Sequence, residues 1–164
     1  MKALLFSLTL VAFLNSAFAP AGKPFPSAQL KSLDGQSVSL NAKFSNNKLT
    51  VVSFWATWCS PCKKELDALK SLYADWKPMG IEVVAVTIDD AQALNKVKPM
   101  VAQKAWKYTI LSDQNKEMLR ALNFQSIPQT FVVDEKGNIL YTHSGYTPGD
   151  EKELDKKLRS FLKS

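Results

Sequence analysis

The 164-residue chain contains two cysteines and one histidine, and that scarcity removes several kinds of chemistry. A zinc site takes about four Cys, His or acidic ligands, so Cys59 and Cys62 with only His143 to help do not make one. Haem attachment through Cys-x-x-Cys-His fails because Lys63 follows Cys62. No third cysteine is left over for a structural bridge, and a bond between Cys59 and Cys62 closes too short a loop to stabilise much. A block of like charge is missing too. The 21 Lys and Arg outnumber the 15 Asp and Glu, for a net +6, but the two signs are interleaved along the chain. That pattern suits a solvated surface and argues against a nucleic-acid groove. No apolar run reaches the roughly 20 residues of a membrane-spanning helix, and there are no internal repeats or disordered tracts.

The longest apolar run is amino-terminal. Lys2 precedes Ala3 to Leu14, and Asn15, Ser16 and small residues follow. This is the pattern of a secretory signal peptide. Residues 1–21 are therefore expected to be removed, with cleavage after Ala21 favoured over cleavage after Ala19, which would leave Pro20 first. The alternative is an uncleaved membrane anchor, which Ser7, Thr9 and the short run weaken. No cysteine follows the segment, so a lipid anchor is not indicated. Residues 22–164 are then one domain, 46% hydrophobic residues across the whole chain being ample for a normal core. Export leads to an oxidising compartment, the periplasm if the source is Gram-negative.

The chain is organised around Val51 to Cys62. The apolar, β-branched and aromatic run Leu49 to Trp55 predicts a buried strand, and the Lys-, Leu- and Ala-rich segment after Cys62 predicts a helix. Both cysteines thus fall where strand becomes helix. The opening turn of a helix carries unpaired N–H groups and the positive end of the helix dipole, which favour a thiolate at Cys59. Pro61 suits an early helical position, needing no donor there. Lys63 and Lys64 add local positive potential. Three residues apart, the cysteines are close enough to cycle between dithiol and disulfide.

Elsewhere, Asp34-Gly35 predicts a hairpin turn between Leu33 and the alternating Val38 and Leu40. Leu66, Leu69, Leu72 and Tyr73 recur at helical spacing as far as Lys77, with Pro78 and Gly80 as stops. Ile81 to Ile88 predicts a second buried strand, and so a parallel βαβ unit. Asp89-Asp90 is expected to cap the next helix, which Pro99 kinks or divides. Tyr108 to Leu111 follows as a strand and Asp113 to Leu122 as a helix. A hairpin then turns at Glu135 to Asn138, and an amphipathic helix over Asp150 to Leu162 closes the chain.

The run Phe54-Trp55-Ala56-Thr57-Trp58-Cys59-Ser60-Pro61-Cys62-Lys63-Lys64-Glu65-Leu66 resembles the active-site signature of thioredoxin-fold thiol-disulfide oxidoreductases, and most of all the exported TlpA and ResA branch. The likeness extends from about Phe25 to the C-terminus. It implies a thioredoxin-like α-β-α sandwich, in the α/β class, with a mixed central sheet and an N-terminal β-hairpin extension. It also implies Cys59 as nucleophile, Cys62 as resolving thiol, and Ile127-Pro128 as a cis-proline dipeptide beside them. Ser53 stands where thioredoxin has a buried aspartate, so it cannot be that base. Glu65 matches the glutamate of the ResA-type motif, either tuning the site or merely helping the helix N-terminus. Trp58 could frame a partner surface, whereas Trp55 is expected in the core and His143 in solvent. The resemblance implies protein thiols and disulfides as substrates, an upstream electron donor, no metal, and no cofactor beyond the Cys59-Cys62 pair. Electron donation to disulfides, as in cytochrome c maturation, is the leading expectation. A peroxiredoxin-like peroxidase is disfavoured by Ala56, where that family has threonine. A copper or partner-binding module is disfavoured because its relatives use Cys-x-x-x-Cys and a histidine.

Overall fold

The computed structural model describes residues 22–163; the expected signal segment, residues 1–21, lies outside them. Seven strands form one mixed sheet. In chain order the elements are β1 (Gln29–Ser32), β2 (Ser37–Ser39), α1 (Leu40–Ser45), β3 (Leu49–Trp55), α2 (Ser60–Trp76), β4 (Ile81–Thr87), α3 (Val97–Lys104), β5 (Thr109–Ser112), α4 (Glu117–Leu122), β6 (Gln129–Asp134), β7 (Ile139–Ser144) and α5 (Asp150–Phe161). The strand order across the sheet is β2-β1-β5-β4-β3-β6-β7. β3 is parallel to β4 and β4 to β5, while β6 runs antiparallel to β3 and β7 to β6. The β1–β2 hairpin adds to the edge by antiparallel pairing with β5.

Every residue of β3 is buried, which is why this strand reads as a continuous apolar run rather than an alternating one. Its side chains still alternate between faces. Phe54 points into an aromatic cluster with Phe124 and Phe131, and Phe25 bridges Phe131 to Phe44 of α1. Ser53 and Trp55 point to the opposite face, where α2 lies. α5 packs against α2 there, with the Trp76 indole donating to Asp155 at 2.8 Å. α3 joins the same face through Lys104 and Asp67. The site helix is therefore held between the central strand and the closing helix.

Four expectations are corrected. Leu40 does not continue a strand. Ser39 caps α1 by accepting from the Ala42 N–H, and Leu40 and Phe44, four residues apart, bury one face of that short helix. Asp89 does not cap the following helix; it turns back toward Thr57. Asp90 takes the capping role alone, accepting from the N–H groups of Gln92 and Ala93. A 3-10 turn over Leu94–Lys96 then precedes α3. The helix is thus divided, with Pro99 in the first turn of α3, where a missing N–H has no partner to lose. α4 begins at Glu117 rather than Asp113, because the Asp113 carboxylate accepts from the N–H groups of Glu117, Met118 and Leu119 and so caps the helix from outside. The fourth concerns His143 and belongs to the site.

Candidate functional site

The site lies at the C-terminal end of β3. After Trp55 the chain turns through Ala56 to Trp58, closed by the Cys59 N–H donating to the Ala56 carbonyl at 3.0 Å. Cys59 is the N-cap of α2, with extended backbone, and its sulfur accepts from the Cys62 N–H at 3.3 Å. Pro61 sits in the first turn. Cys59 and Cys62 are joined as a disulfide with Cα atoms 5.4 Å apart. Cys59 retains 5% of its surface and Cys62 none, so a partner's sulfur can reach only the first of the two.

Sequence reasoning assigned Asp89 elsewhere, yet this residue fixes the turn that presents Cys59. It is 1% exposed, and its carboxylate accepts from the Thr57 N–H at 2.9 Å and the Thr57 hydroxyl at 2.8 Å. The Thr87 hydroxyl also donates to it. A carboxylate holding the turn from the end of the neighbouring strand leaves no periodic trace in the sequence. Lys63 binds the same turn from the other side, its Nζ donating to the Thr57 carbonyl at 2.9 Å.

The Ile127-Pro128 bond is cis, and the Ile127 carbonyl oxygen lies 3.8 Å from Cys59 Sγ. Pro128 is buried and Ile127 half-buried. Trp58 is 67% exposed beside the disulfide, and with Ile88, Leu119, Gln125, Ser126 and Ile127 it borders a groove of about 290 Å³. Residues from four separate stretches, Trp58 to Cys62, Ile88, Leu119, and Gln125 to Pro128, thus converge on one surface. Trp55 is absent from it, fully buried and edge-on to Trp106.

Glu65 is inside, not at the helix surface. It is 4% exposed, and its two carboxylate oxygens accept from Ser53 Oγ at 2.9 Å and Thr130 Oγ1 at 2.8 Å. Burial pushes the Glu65 carboxyl above its ordinary range, against the pull of the two hydroxyl donors. His143 is not solvated as expected: its ring is one-third exposed, Nε2 is 3.1 Å from Asp150 Oδ2, and the ring stacks on Tyr141. It had no motif to mark it; only pairing of β6 with β7 brings it to this face.

The chain matches the redoxin family over residues 20–158. It is 28% identical over 142 residues to thiol-disulfide oxidoreductase ResA of Bacillus thuringiensis subsp. konkukian, covering 87% of this chain and 76% of that one. It is 33% identical over 138 residues to the thioredoxin-like protein YneN of Bacillus subtilis, covering 84% and 78%. The solution structure of a thioredoxin-like protein from Porphyromonas gingivalis superposes with a TM-score of 0.72 at 42% identity, covering 85% of this chain and 92% of that one. The chain belongs to the redoxin family, as a thioredoxin-fold thiol-disulfide oxidoreductase.

Proposed function

We propose that this protein is an exported reductant of disulfides in protein partners, with Cys59 as nucleophile and Cys62 as resolving thiol. The observation that carries the assignment is the asymmetry of the pair. Cys59 Sγ sits at the helix N-terminus, accepts a backbone N–H and keeps the only accessible surface, whereas Cys62 is sealed. Those N–H groups and the helix dipole stabilise a thiolate at Cys59 in the reduced protein. The thiolate attacks one sulfur of the partner disulfide, forming a mixed disulfide and expelling the partner's other sulfur as thiolate. Cys62 then loses its proton and attacks Cys59 Sγ. The intramolecular disulfide forms, the second partner sulfur leaves, and two electrons have passed to the partner.

The Ile127 carbonyl beside Cys59 and the exposed Trp58 supply the docking surface, the former by strand-like hydrogen bonding to an extended partner segment. Residues 1–21 act as a cleaved signal, leaving 22–164 as the mature domain in the periplasm or its equivalent. The Lys2 and apolar Ala3 to Leu14 pattern supports this. Resemblance to ResA-type proteins supports haem-binding apocytochromes as the partner class, with a separate electron donor regenerating the dithiol.

The test is trapping. Cys62→Ser, expressed with its signal in an export-competent host, accumulates mixed disulfides that reducing agent releases; Cys59→Ser forms none. Recovery of haem-binding apoproteins supports the cytochrome role, and a broad set of exported proteins replaces it with a general reductase. If neither variant traps any protein, the role assignment to the two cysteines fails.

A further inference from the structure

The resolving step must release a proton from a thiol with no accessible surface, so the protein has to supply a way out. Cys62 and Glu65 are three residues apart on α2 and both are buried, which places their Cβ atoms about 5–6 Å apart on one helix face. Glu65 is clamped by Ser53 of β3 and Thr130 of β6, which are direct partners in the sheet register. Thr130 is in turn the direct partner of His143 on β7. Ser53, Thr130 and His143 therefore form a row across three strands on the face that α2 and α5 cover, each about 4.5–5.5 Å from the next at Cβ.

Between that row and α5 lies a small, partly open cavity of about 10 Å³, lined by Glu65, Thr130, Tyr141, His143, Tyr146 and Asp150 among others. That is room for one water molecule, and the lining offers it several polar partners. At the outer end the side chains of His143 and Asp150 are each 32% exposed.

We infer that this row and its cavity form the proton exit of the resolving step, with Glu65 as inner acceptor, one water as bridge, and His143, held by Asp150, as outer acceptor that discharges to solvent. The inference rests on Cys62 being the resolving thiol. In the step, Cys62 Sγ–H breaks, Cys62 Sγ bonds to Cys59 Sγ, the Cys59–partner bond breaks, and the partner sulfur leaves with that electron pair. The proton goes to the Glu65 carboxylate, through the water to His143 Nδ1, and from the ring to bulk solvent. With Nε2–H donating to Asp150 at 3.1 Å, Nδ1 is the accepting nitrogen, the Tyr141 hydroxyl lying 3.5 Å from it, and a proton taken there leaves the Nε2–H paired with the Asp150 carboxylate.

The groups facing the route are few. Tyr108 interacts electrostatically with Glu65, as do His143 and Asp150 from β7 and α5. Tyr146 faces the cavity while donating to Glu151 at 2.9 Å, Gly149 N–H also donates to Glu151, and Lys157 lies over the Tyr141 ring. Glu65 is the only acid buried among them, and burial raises its proton affinity above that of an ordinary carboxylate, the direction that favours accepting from a thiol. His143 and Asp150 touch neither sulfur, so they are positioning residues for proton movement.

The experiment uses the reduced full-length mature protein with oxidised glutathione as the disulfide. Rapid quenching and mass spectrometry follow formation and decay of the Cys59–glutathione adduct across pH. His143→Gln keeps a donor toward Asp150 but cannot take a proton. It is expected to leave adduct formation unchanged and slow adduct decay about tenfold, less than the order of a hundredfold from Glu65→Gln, with an altered pH profile and solvent deuterium isotope effect. In the Glu65→Gln background the His143 change adds nothing. Asp150→Asn keeps the imidazole and weakens its stabilisation, so it slows decay by a smaller factor and carries the test if His143→Gln fails to fold. Wild-type decay rate and pH profile in a folded His143→Gln or Asp150→Asn protein overturn the route, as does an undiminished His143 effect without Glu65. Cys62→Ser in the same assay separates the two levels: if its adduct still decays, the resolving role itself is wrong, whereas a stable adduct with unaffected His143 variants removes only the route.

Discussion

Ser53 Oγ donates to Glu65 Oε2 at 2.9 Å, so the central strand and the site helix share a carboxylate that belongs to the helix. Thioredoxin-like sequences with an aspartate at the strand position place the acid on the other element. Here the strand supplies only a hydroxyl, and Thr130 on the adjacent strand supplies a second at 2.8 Å. Two neutral donors solvate the anion in part, but burial outweighs them and the Glu65 carboxyl titrates above its ordinary value of 4.5.

That direction fixes a pH dependence. A folded-state value above the unfolded one means the native protein binds the proton more tightly, so the favourable contribution is complete below about pH 4.5 and is lost as pH rises through the folded value. Glu65→Gln cannot ionise. Urea unfolding of the disulfide form should show the stability difference, wild type minus variant, falling as pH climbs from 4.5 through the raised folded value and level beyond it. A difference that is flat, or that grows with pH, contradicts the burial argument.

Asp89 is the second test. In Asp89→Ala the Thr57 N–H and hydroxyl lose their acceptor in a buried setting, with the Thr87 hydroxyl orphaned beside them. Each unsatisfied group costs about 1–3 kcal/mol. Thermal unfolding should register the loss. Because the turn carrying Cys59 is released, the rate of attack on a model disulfide should also fall in the protein that remains folded. Unchanged attack kinetics would mean that the turn holds its shape without Asp89.

The two tryptophans of the motif should separate cleanly. Trp55→Ala opens a cavity against Trp106 and should cost about 3–5 kcal/mol. Trp58→Ala removes an exposed side chain and should change stability by no more than about 0.5 kcal/mol. It should instead raise the KM for a protein disulfide while leaving reaction with a small disulfide near wild type. Calorimetry and paired kinetics measure both, and equal effects on the two substrates would remove Trp58 from the partner surface.

What the sequence made legible follows from how local each signal is. The site strand, the start of the site helix and the dithiol lie within fourteen residues, Leu49 to Cys62, and the cues there are burial, a stop and an N-cap, all readable without tertiary contacts. The β6–β7 hairpin and the closing helix were legible for the same reason. α1 was missed because Val38 and Leu40 alternate like a strand, and only the Ser39 cap distinguishes the start of a helix. Asp89 and His143 were misplaced because their partners are distant in sequence: Asp89 acts on Thr57, and His143 enters the face over α2 only through register with Thr130. Glu65 stood between two readings, tuning the pair or helping the helix N-terminus; its 4% exposure and its hydroxyl partners on two strands come from tertiary packing, which the spacing within α2 does not report.

The arrangement of one carboxylate per site can itself be tested by adding a second. Ser53→Asp places an acid within hydrogen-bond distance of Glu65, in a region sealed from solvent, with only Thr130 left as a neutral donor. Two carboxyls that close cannot both ionise, so one proton is shared between them at neutral pH and any second charge is uncompensated. The variant should lose about 3–5 kcal/mol of stability as pH rises into the region where the pair must give up its second proton, and recover in acid. Ser53→Asp combined with Glu65→Gln returns the site to one carboxylate, now on the strand, and should restore most of that loss. Chemical denaturation of the single and double variants at acidic and alkaline pH measures the coupling. If the double variant is no more stable than Ser53→Asp alone, steric crowding rather than charge limits the position, and the pairing of Ser53 with Glu65 is a matter of packing.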